Sequence, residues 1–551
     1  MSEYTLTLLD TTGIQDYIFS SNRLQENIGA SELVYRATTL WAFEALKAAG
    51  ITAHNLDQPE SLDWKYNDRS IESDSNLQAE VIQAAGGNTV ILFREPEKAR
   101  EFVRKLTLRL LKEAPGLTVL AQHLDHFNFE QGDLAEARKD IQAQMRQHKQ
   151  ERLVSIPTMG LGVTAMCNST GLAAVRTPVG KQFIGDDEFS LLVPGQDEQE
   201  SERNRLISRE TAFKLAARDL ANARLKHIVG KVAEWYEFPS DIDNLGRISG
   251  EESYVAVIHA DGNKMGSHVA SIVNGAKGNR DYINAMRSFS KNLEVASRAA
   301  LIEIVEKIVI SIKDGLVADK IPLVKDKFHT YIPFRPLVFG GDDVTFLCNG
   351  QLGVELATQY LAAFERYTKE QRLDDFYASA GIAIVKMHYP FARAYKLSEE
   401  LAGSAKSLTR EIDCSAIDWH FAQSGLSGSL ENIREREYTV EGGKLNVRPL
   451  RLRDDQGKPS WAKVESALAE FSGKYWGEKH NKVIGLREAL RKDKKGAAAQ
   501  KYREDFGLNL LPEIAGEEVR KTGWLDGKCY YFDAIELLDH HVSLKNKEAA
   551  K

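Results

Sequence analysis

One order of elements, strand, helix, hairpin, helix, strand, occurs twice along this chain, and a repeat of that kind restricts the fold before any single residue is weighed. In the first copy residues 4–9 alternate loosely as a strand, and residues 24–48 carry apolar side chains at helical spacing with a break near Gly29. Residues 81–93 then turn as a hairpin about Gly86-Gly87, a helix follows Pro96 over 97–112, and 117–121 is a last strand. In the second copy the strand is 254–259, and the helix over 282–310 carries a stripe from Ile283 to Ile304 that its sheet should cover. The hairpin is 336–347 about Gly340-Gly341, and helix 353–368 and strand 377–385 complete the unit. The interval from acidic strand end to glycine pair is nearly the same in both copies. A βαββαβ sheet sets its first and third strands side by side and antiparallel, so the end of one meets the start of the other. Asp261 then faces Asp342 and Asp343.

Three carboxylates at one strand edge are costly unless a cation lies between them. Hard oxygen ligands favour Mg²⁺ or Mn²⁺ over zinc, and two such ions a few ångströms apart can neutralise a triphosphate while activating a hydroxyl. Asp261, Asp342 and Asp343 are therefore the expected catalytic and metal-binding residues. Gly262 and Gly266 remove side chains beside Asn263, so the backbone N–H groups from Asn263 through Ser267 are expected to approach phosphates, with Gly340 and Gly341 forming the facing turn. Lys406, on a helix that begins near Pro390, is a candidate clamp for the β and γ phosphates. His259 reads as a satisfied or edge histidine more readily than as a proton acceptor, and Phe339, Val344 and Phe346 read as core. Asn88 and Thr89 stand in the first copy where the two aspartates stand in the second. An amide and a hydroxyl are poor replacements for anionic ligands, so chemistry is expected only in the second copy.

With 551 residues, 43% hydrophobic, the chain is long enough for several cores. Its net charge of −7 argues against general polyanion binding. Cys167, Cys348, Cys414 and Cys529 are too scattered for a disulfide framework or a Cys-x-x-Cys site. Without a basic leader or a long apolar run, the reading is a cytoplasmic protein with no membrane partner. Between the copies lie a charged helix over 133–152, a glycine-rich segment over 159–171 and a helix over 210–235. His123 and His126 beside Asp125 read as a solvated turn rather than a metal site. Beyond residue 424 the chain is polar and turn-rich to 460, then helical and basic over 461–505, a face as consistent with solvent as with RNA or protein contact.

Taken jointly and in order, Thr12-Gly-Ile-Gln-Asp-Tyr-Ile-Phe19, Glu32-Leu-Val34, Phe238-Pro-Ser-Asp-Ile-Asp-Asn-Leu-Gly246, His259-Ala-Asp-Gly-Asn-Lys-Met-Gly266, Gly340-Gly-Asp-Asp343 and Ser404-Ala-Lys406 resemble the large, polymerase-like subunit of type III CRISPR effector complexes. The resemblance covers nearly the whole chain. It implies an α+β protein with two ferredoxin-like palm domains related to nucleotidyl cyclases. The expected division is a degenerate first palm at 1–122, a mainly helical insert at 123–250, the second palm with the metal and nucleotide site at 251–424, and a basic helical carboxyl-terminal domain at 425–551. By that similarity the second palm joins ATP into cyclic oligoadenylate messengers in antiviral defence once target RNA engages a guide-RNA complex. Asp342 and Asp343 would hold the metals, Asp261 would complete the site, and Lys406 would lie near the triphosphate. A small helical subunit would meet the carboxyl-terminal domain.

Three departures from the family pattern shape the expectation. The chain begins directly with the first palm, so the His-Asp nuclease domain of many relatives and its DNA cleavage are expected to be absent. One cysteine, Cys167, remains where relatives often bind zinc, so no zinc is expected. Asn263 replaces the second acid of the usual Asp-Gly-Asp pattern. Two rival functions follow: a non-catalytic nucleotide-binding scaffold of a guide-RNA complex, and a stand-alone cyclase making a mono- or dinucleotide.

Overall fold

The computed structural model describes residues 3–544 except 86, 152–161, 177–181, 184–187, 190–204, 248–252, 411–412, 423–427, 455–457 and 494–496. Gly86 of the first glycine pair and residues 159–161 of the glycine-rich segment lie outside the described residues. The chain divides into two compact units, Met1–Ile228 with Met265–Glu294, and Val229–Lys264 with Val295–Lys551. Both mix helices with sheet.

In the first unit, β1 (Glu3–Thr12), β2 (Ala79–Ala85), β3 (Asn88–Phe93) and β4 (Thr118–Asn128) form an antiparallel sheet in the order β2-β3-β1-β4. The apolar pattern over 24–48 folds as two helices, α1 (Leu24–Thr38) and α2 (Leu40–Ala48), and the break falls at Thr39 rather than near Gly29. Gly29 stays helical because the backbone of α5 (Arg209–Val229) passes against it; a Cβ there would lie 1.6 Å from the Lys214 carbonyl oxygen. Pro96 opens α3 (Pro96–Glu113) at its first turn, where the missing N–H costs nothing. The last strand runs past the expected 117–121 through Asn128, so His123 and His126 are strand residues and not part of a turn. His123 Nδ1 lies 2.9 Å from Thr7 Oγ1, and His126 pairs with Glu3 at 2.6 Å. After α4 (Leu134–Glu151), Cys167 is buried with its sulfur 3.5 Å from Thr211 Oγ1. The buried Glu32 accepts from Arg36 and Arg224, both at 2.7 Å, which accounts for a fully buried acid in that helix.

The second unit carries a six-stranded sheet, built from β5 (Tyr254–Gly262), β6 (Phe334–Val338), β7 (Asp343–Asn349), β8 (Ala378–Lys386), β9 (Ala416–Ala422) and β10 (Leu450–Arg451) in the order β6-β7-β5-β8-β9-β10. All neighbours are antiparallel except β8 and β9, which run parallel. The sheet thus takes β10 from the stretch read as the start of the carboxyl-terminal region. Helices α6 (Met265–Gly275) and α7 (Asn279–Ile310) follow β5. Ile283, Met286, Phe289, Leu293, Ala296, Ala300 and Ile304 on α7 are all buried, as their spacing predicts. The first turns of that stripe are not covered by the second sheet: Tyr282, Ile283 and Met286 join Tyr4, Leu6, Leu8 and Ile82 in the core of the first unit. Helices α8 (Gly353–Glu370) and α9 (Phe391–Thr409) pack on the second sheet. The carboxyl-terminal part is helical but also holds short strands; α10 (Leu430–Tyr438), α11 (Trp461–Phe471), α12 (His480–Arg491) and α13 (Phe532–Leu537) are its elements used below. Among the described residues no helix is long and apolar enough to cross a membrane.

The registers correct the equivalence read from the glycine pairs. Asp10 pairs with Asn88 in the first sheet, and Asp261 pairs with Asp343 in the second. Thr11 N–H donates to the Gly87 carbonyl at 3.0 Å, just as Gly262 N–H donates to the Asp342 carbonyl at 3.1 Å. Asn88 therefore stands where Asp343 stands, and Gly87, with no side chain, stands where Asp342 does. Thr89 is not an equivalent of either acid; it is buried and donates to the Thr38 carbonyl at 2.6 Å.

Candidate functional site

Strand β5 runs out at Asp261-Gly262 while its neighbour β7 begins at Asp343, and the antiparallel pairing sets these two acids directly across from each other. Val344 and Phe346, on the apolar side of β7, are fully buried and anchor that register. Gly262 is required by crowding: a Cβ there would lie 2.9 Å from Asp342 Cβ and 3.1 Å from the Phe376 ring. Gly340 has φ +105°, a conformation costly for any residue with a Cβ, whereas a Cβ at Gly341 would make only an ordinary contact, 4.0 Å from the Asp343 nitrogen. The turn that delivers Asp342 and Asp343 is thus fixed by one glycine of the pair.

The carboxylates feel one another. Asp343 is pushed up to about 8, first by desolvation and then by Asp342 and Asp261, with Lys406 opposing. Asp342 is raised by the same causes, burial first and then Asp261. The Asp343 side chain is 46% exposed overall, yet its Oδ1 is shut away without a hydrogen-bond partner. Lys406, reaching in from α9, forms an ion pair with Asp261 and lies 3.5 Å from the Gly262 carbonyl oxygen. His259 sits two residues back along β5, opposite Thr345, with Nδ1 3.2 Å from Thr345 Oγ1 and 3.4 Å from Asp343 Oδ1. Burial lowers its pKa against the pull of Asp261, which keeps the ring neutral.

Asn263 and Gly266 fall differently from expectation. The Asn263 N–H donates to the Tyr377 carbonyl at 2.8 Å, so it is not free for a phosphate. Its side chain is buried, Oδ1 accepts from Ser379 Oγ at 3.1 Å, and Nδ2 has no hydrogen-bond partner. An aspartate in that place would add another desolvated carboxylate to three that already repel, and an amide avoids the penalty. Gly266 lies in α6 with open space around its Cα. Lys264 takes a left-handed φ of 59° and pairs with Asp413 at 2.6 Å, leaving Lys406 as the cation at the acids. Sequence reasoning missed Thr345, Ser379 and Glu399. Thr345 was accessible from the register once Asp261 was set opposite Asp343; Glu399, which adds to the negative potential at Asp343, leaves no signal in a sequence.

Residues 254–412 match the family model described as the second palm domain of Cas10/Cmr2. That segment is similar to the Cas10/Cmr2 second palm. In structure the chain is similar to the apo Csm1-Csm4 cassette (TM-score 0.55, 15% identity), to the Csm1-Csm4 subcomplex of the type III-A CRISPR-Csm interference complex (0.53, 15%) and to a Csm1-Csm4 cassette in complex with cA3 (0.50, 15%). Each match covers 98% of this chain and 70% of the other. At such identity these likenesses carry the fold. No curated protein matches the sequence.

The donor set of this site suits a hard divalent ion: three carboxylates, one with a buried oxygen that has no hydrogen-bond partner and only His259 Nδ1 at 3.4 Å. The present arrangement is more open than a closed metal cage. Among the described residues no group of three His, Cys, Asp or Glu side chains is close enough to hold an ion, and Lys406 balances Asp261.

Proposed function

We propose that the second palm of this chain is a nucleotidyltransferase that joins ATP into cyclic oligoadenylate, with Mg²⁺ or Mn²⁺ held by Asp342, Asp343 and Asp261. The observation that carries the reading is the pairing of Asp261 with Asp343, beside Asp342, inside the segment that matches the Cas10/Cmr2 second palm. A solved Csm1-Csm4 cassette in complex with cA3 supports the product class. Two divalent ions, when bound, would offset the triphosphate charge and lower the pKa of the attacking 3′-hydroxyl. Lys406 is placed to turn from Asp261 to the β and γ phosphates, and would do so with a metal bound, since one carboxylate cannot serve both cations at full strength. His259, neutral and hydrogen-bonded to Thr345, adds no charge beside the Asp343 carboxylate. Gly340 lets the turn approach the nucleotide without a side chain, and Gly341 leaves room beside it. We read both sheets as palms of the ferredoxin-like type, the first without the acids, joined by a mainly helical insert and followed by a basic carboxyl-terminal domain. Partners in this reading are ATP, guide and target RNA, and neighbouring subunits of a complex like the one named for the Csm1-Csm4 relatives.

The test is product formation by the purified chain with Mn²⁺ or Mg²⁺ and ATP, with and without a guide–target RNA assembly. The double change Asp342→Ala, Asp343→Ala is expected to lower product at least about 100-fold, in line with the loss of a main electrostatic element of a site. Undiminished product from that variant would overturn the assignment. A second reading, a nucleotide-binding scaffold without turnover, is favoured by the Lys406–Asp261 pair and the inward Asn263 amide. It predicts ATP binding without product under every activating condition.

A further inference from the structure

A cavity of about 160 Å³ lies in the second unit between β9 and α12, lined among others by His420, Tyr438, Glu437, Arg487, Arg491 and Glu536. Its acids are already engaged. Glu536 accepts from Tyr438 Oη at 2.6 Å and from Arg448 Nη1 at 2.9 Å, and Glu437 pairs with Arg436 at 2.9 Å. The two arginines, one turn apart on α12, are not served by those acids. Arg491 lies over the Phe532 ring at 5.4 Å, and the Arg487 Nε, 3.5 Å from its sequence neighbour Glu488, is buried without a hydrogen-bond partner. His420 is 1% exposed, and neither Nδ1 nor Nε2 has a hydrogen-bond partner. Burial, then Arg448 and Arg434, pushes that ring down to about 3, so it is neutral and offers one donor and one acceptor. A buried imidazole with both nitrogens idle, next to two guanidinium groups whose charge the lining acids do not balance, is a strained arrangement unless something polar and anionic fills the space.

We propose that this cavity binds a small oxyanion of the phosphate class, inorganic phosphate or pyrophosphate, between Arg487 and Arg491, with His420 donating from one ring nitrogen. Guanidinium groups match such oxygens in fork geometry. A hydrogen phosphate also carries an O–H for the second imidazole nitrogen. The volume is well below the roughly 300 Å³ at which pockets begin to take drug-sized ligands, so a nucleoside triphosphate does not fit. The site is separate from Asp261, Asp342 and Asp343 in residues and in elements, and does not depend on the activity proposed for them.

Thermal melts of the full chain in chelator-containing buffer, against rising potassium phosphate or potassium pyrophosphate, test this. Potassium chloride at matched ionic strength is the reference. The expected result is a saturable rise in Tm of about 2 °C or more with at least one anion. It should fall to less than half in both Arg487→Gln and Arg491→Gln, each measured from its own anion-free baseline so that a less stable variant still reports. The anion that shifts Tm at lower concentration identifies the natural source. No saturable shift beyond chloride, or a full-sized shift in either variant, overturns the proposal.

Discussion

At the level of single residues, one lysine decides much of the chemistry. Lys406 holds Asp261 and lowers the pKa of both Asp342 and Asp343, so it acts as the cation of the site in the absence of others. Lys406→Met is expected to strengthen Mn²⁺ binding several-fold in the absence of nucleotide, because a competing charge is gone, and to raise the KM for ATP about tenfold or more, the scale of one lost charge-assisted contact. Electron paramagnetic resonance titration reads the first effect and initial rates the second; weaker Mn²⁺ binding in the variant contradicts the exchange argued above. His420 supplies a prediction of another kind. An unfolded histidine takes its proton near pH 6.5, whereas His420 in the fold stays neutral down to about 3. The stability tied to its neutral form is complete above pH 6.5 and is lost as pH falls toward 3, at about 1.4 kcal/mol for each unit below 6.5. In phosphate-free buffers, His420→Gln should flatten the fall in Tm between pH 6.5 and 4.5, and an unchanged slope would exclude this origin.

Among elements, the contact of α9 with β8 matters most, because α9 carries Lys406. Gly381 of β8 makes that contact possible: a Cβ there would lie 2.0 Å from the Ser398 carbonyl oxygen and 2.3 Å from the Ala402 nitrogen. Both are backbone atoms, so neither can swing aside. Gly381→Ala is expected to cost about 1–3 kcal/mol as overpacking, read as a lower denaturation midpoint at unchanged m. It should also reduce product formation beyond what lost stability explains, since α9 must lift away from the strand. A variant with wild-type stability would mean that the helix yields without strain. The helix ends and breaks were the least legible elements. Gly29 looked like a break by propensity, but the passage of α5 against it required a glycine inside a continuous helix, and no local rule contains that neighbour.

For the whole molecule, the two sheets share a strand order and differ in charge at the equivalent edge. The first offers Asp10, paired with Lys149 at 2.5 Å, and Asn88 and Gly87 where the second offers two aspartates. Asp10→Asn is therefore expected to leave product formation within about twofold of wild type, while Asp261→Asn lowers it at least about 100-fold. Mass-resolved product assays of the two variants side by side check this, and equal losses would assign catalysis to both units. The repeat was legible because strand and helix periodicities survive divergence. Its register was not, because the two hairpins are equally long and the glycine pair sits one position earlier in the second, so the pair misleads as a ruler.

The sequence alone determined the order of elements, the glycine pair, and the three acids that the second unit brings to one strand edge; apolar periodicity and turn chemistry are local properties and need no partner to be read. Tertiary structure decided what those acids face. That Asn263 turns inward to Ser379, that Lys406 takes Asp261, and that the first turns of α7 belong to the other core follow from which surfaces meet. Desolvation and charge act through space, and a chain written in one dimension does not carry those distances.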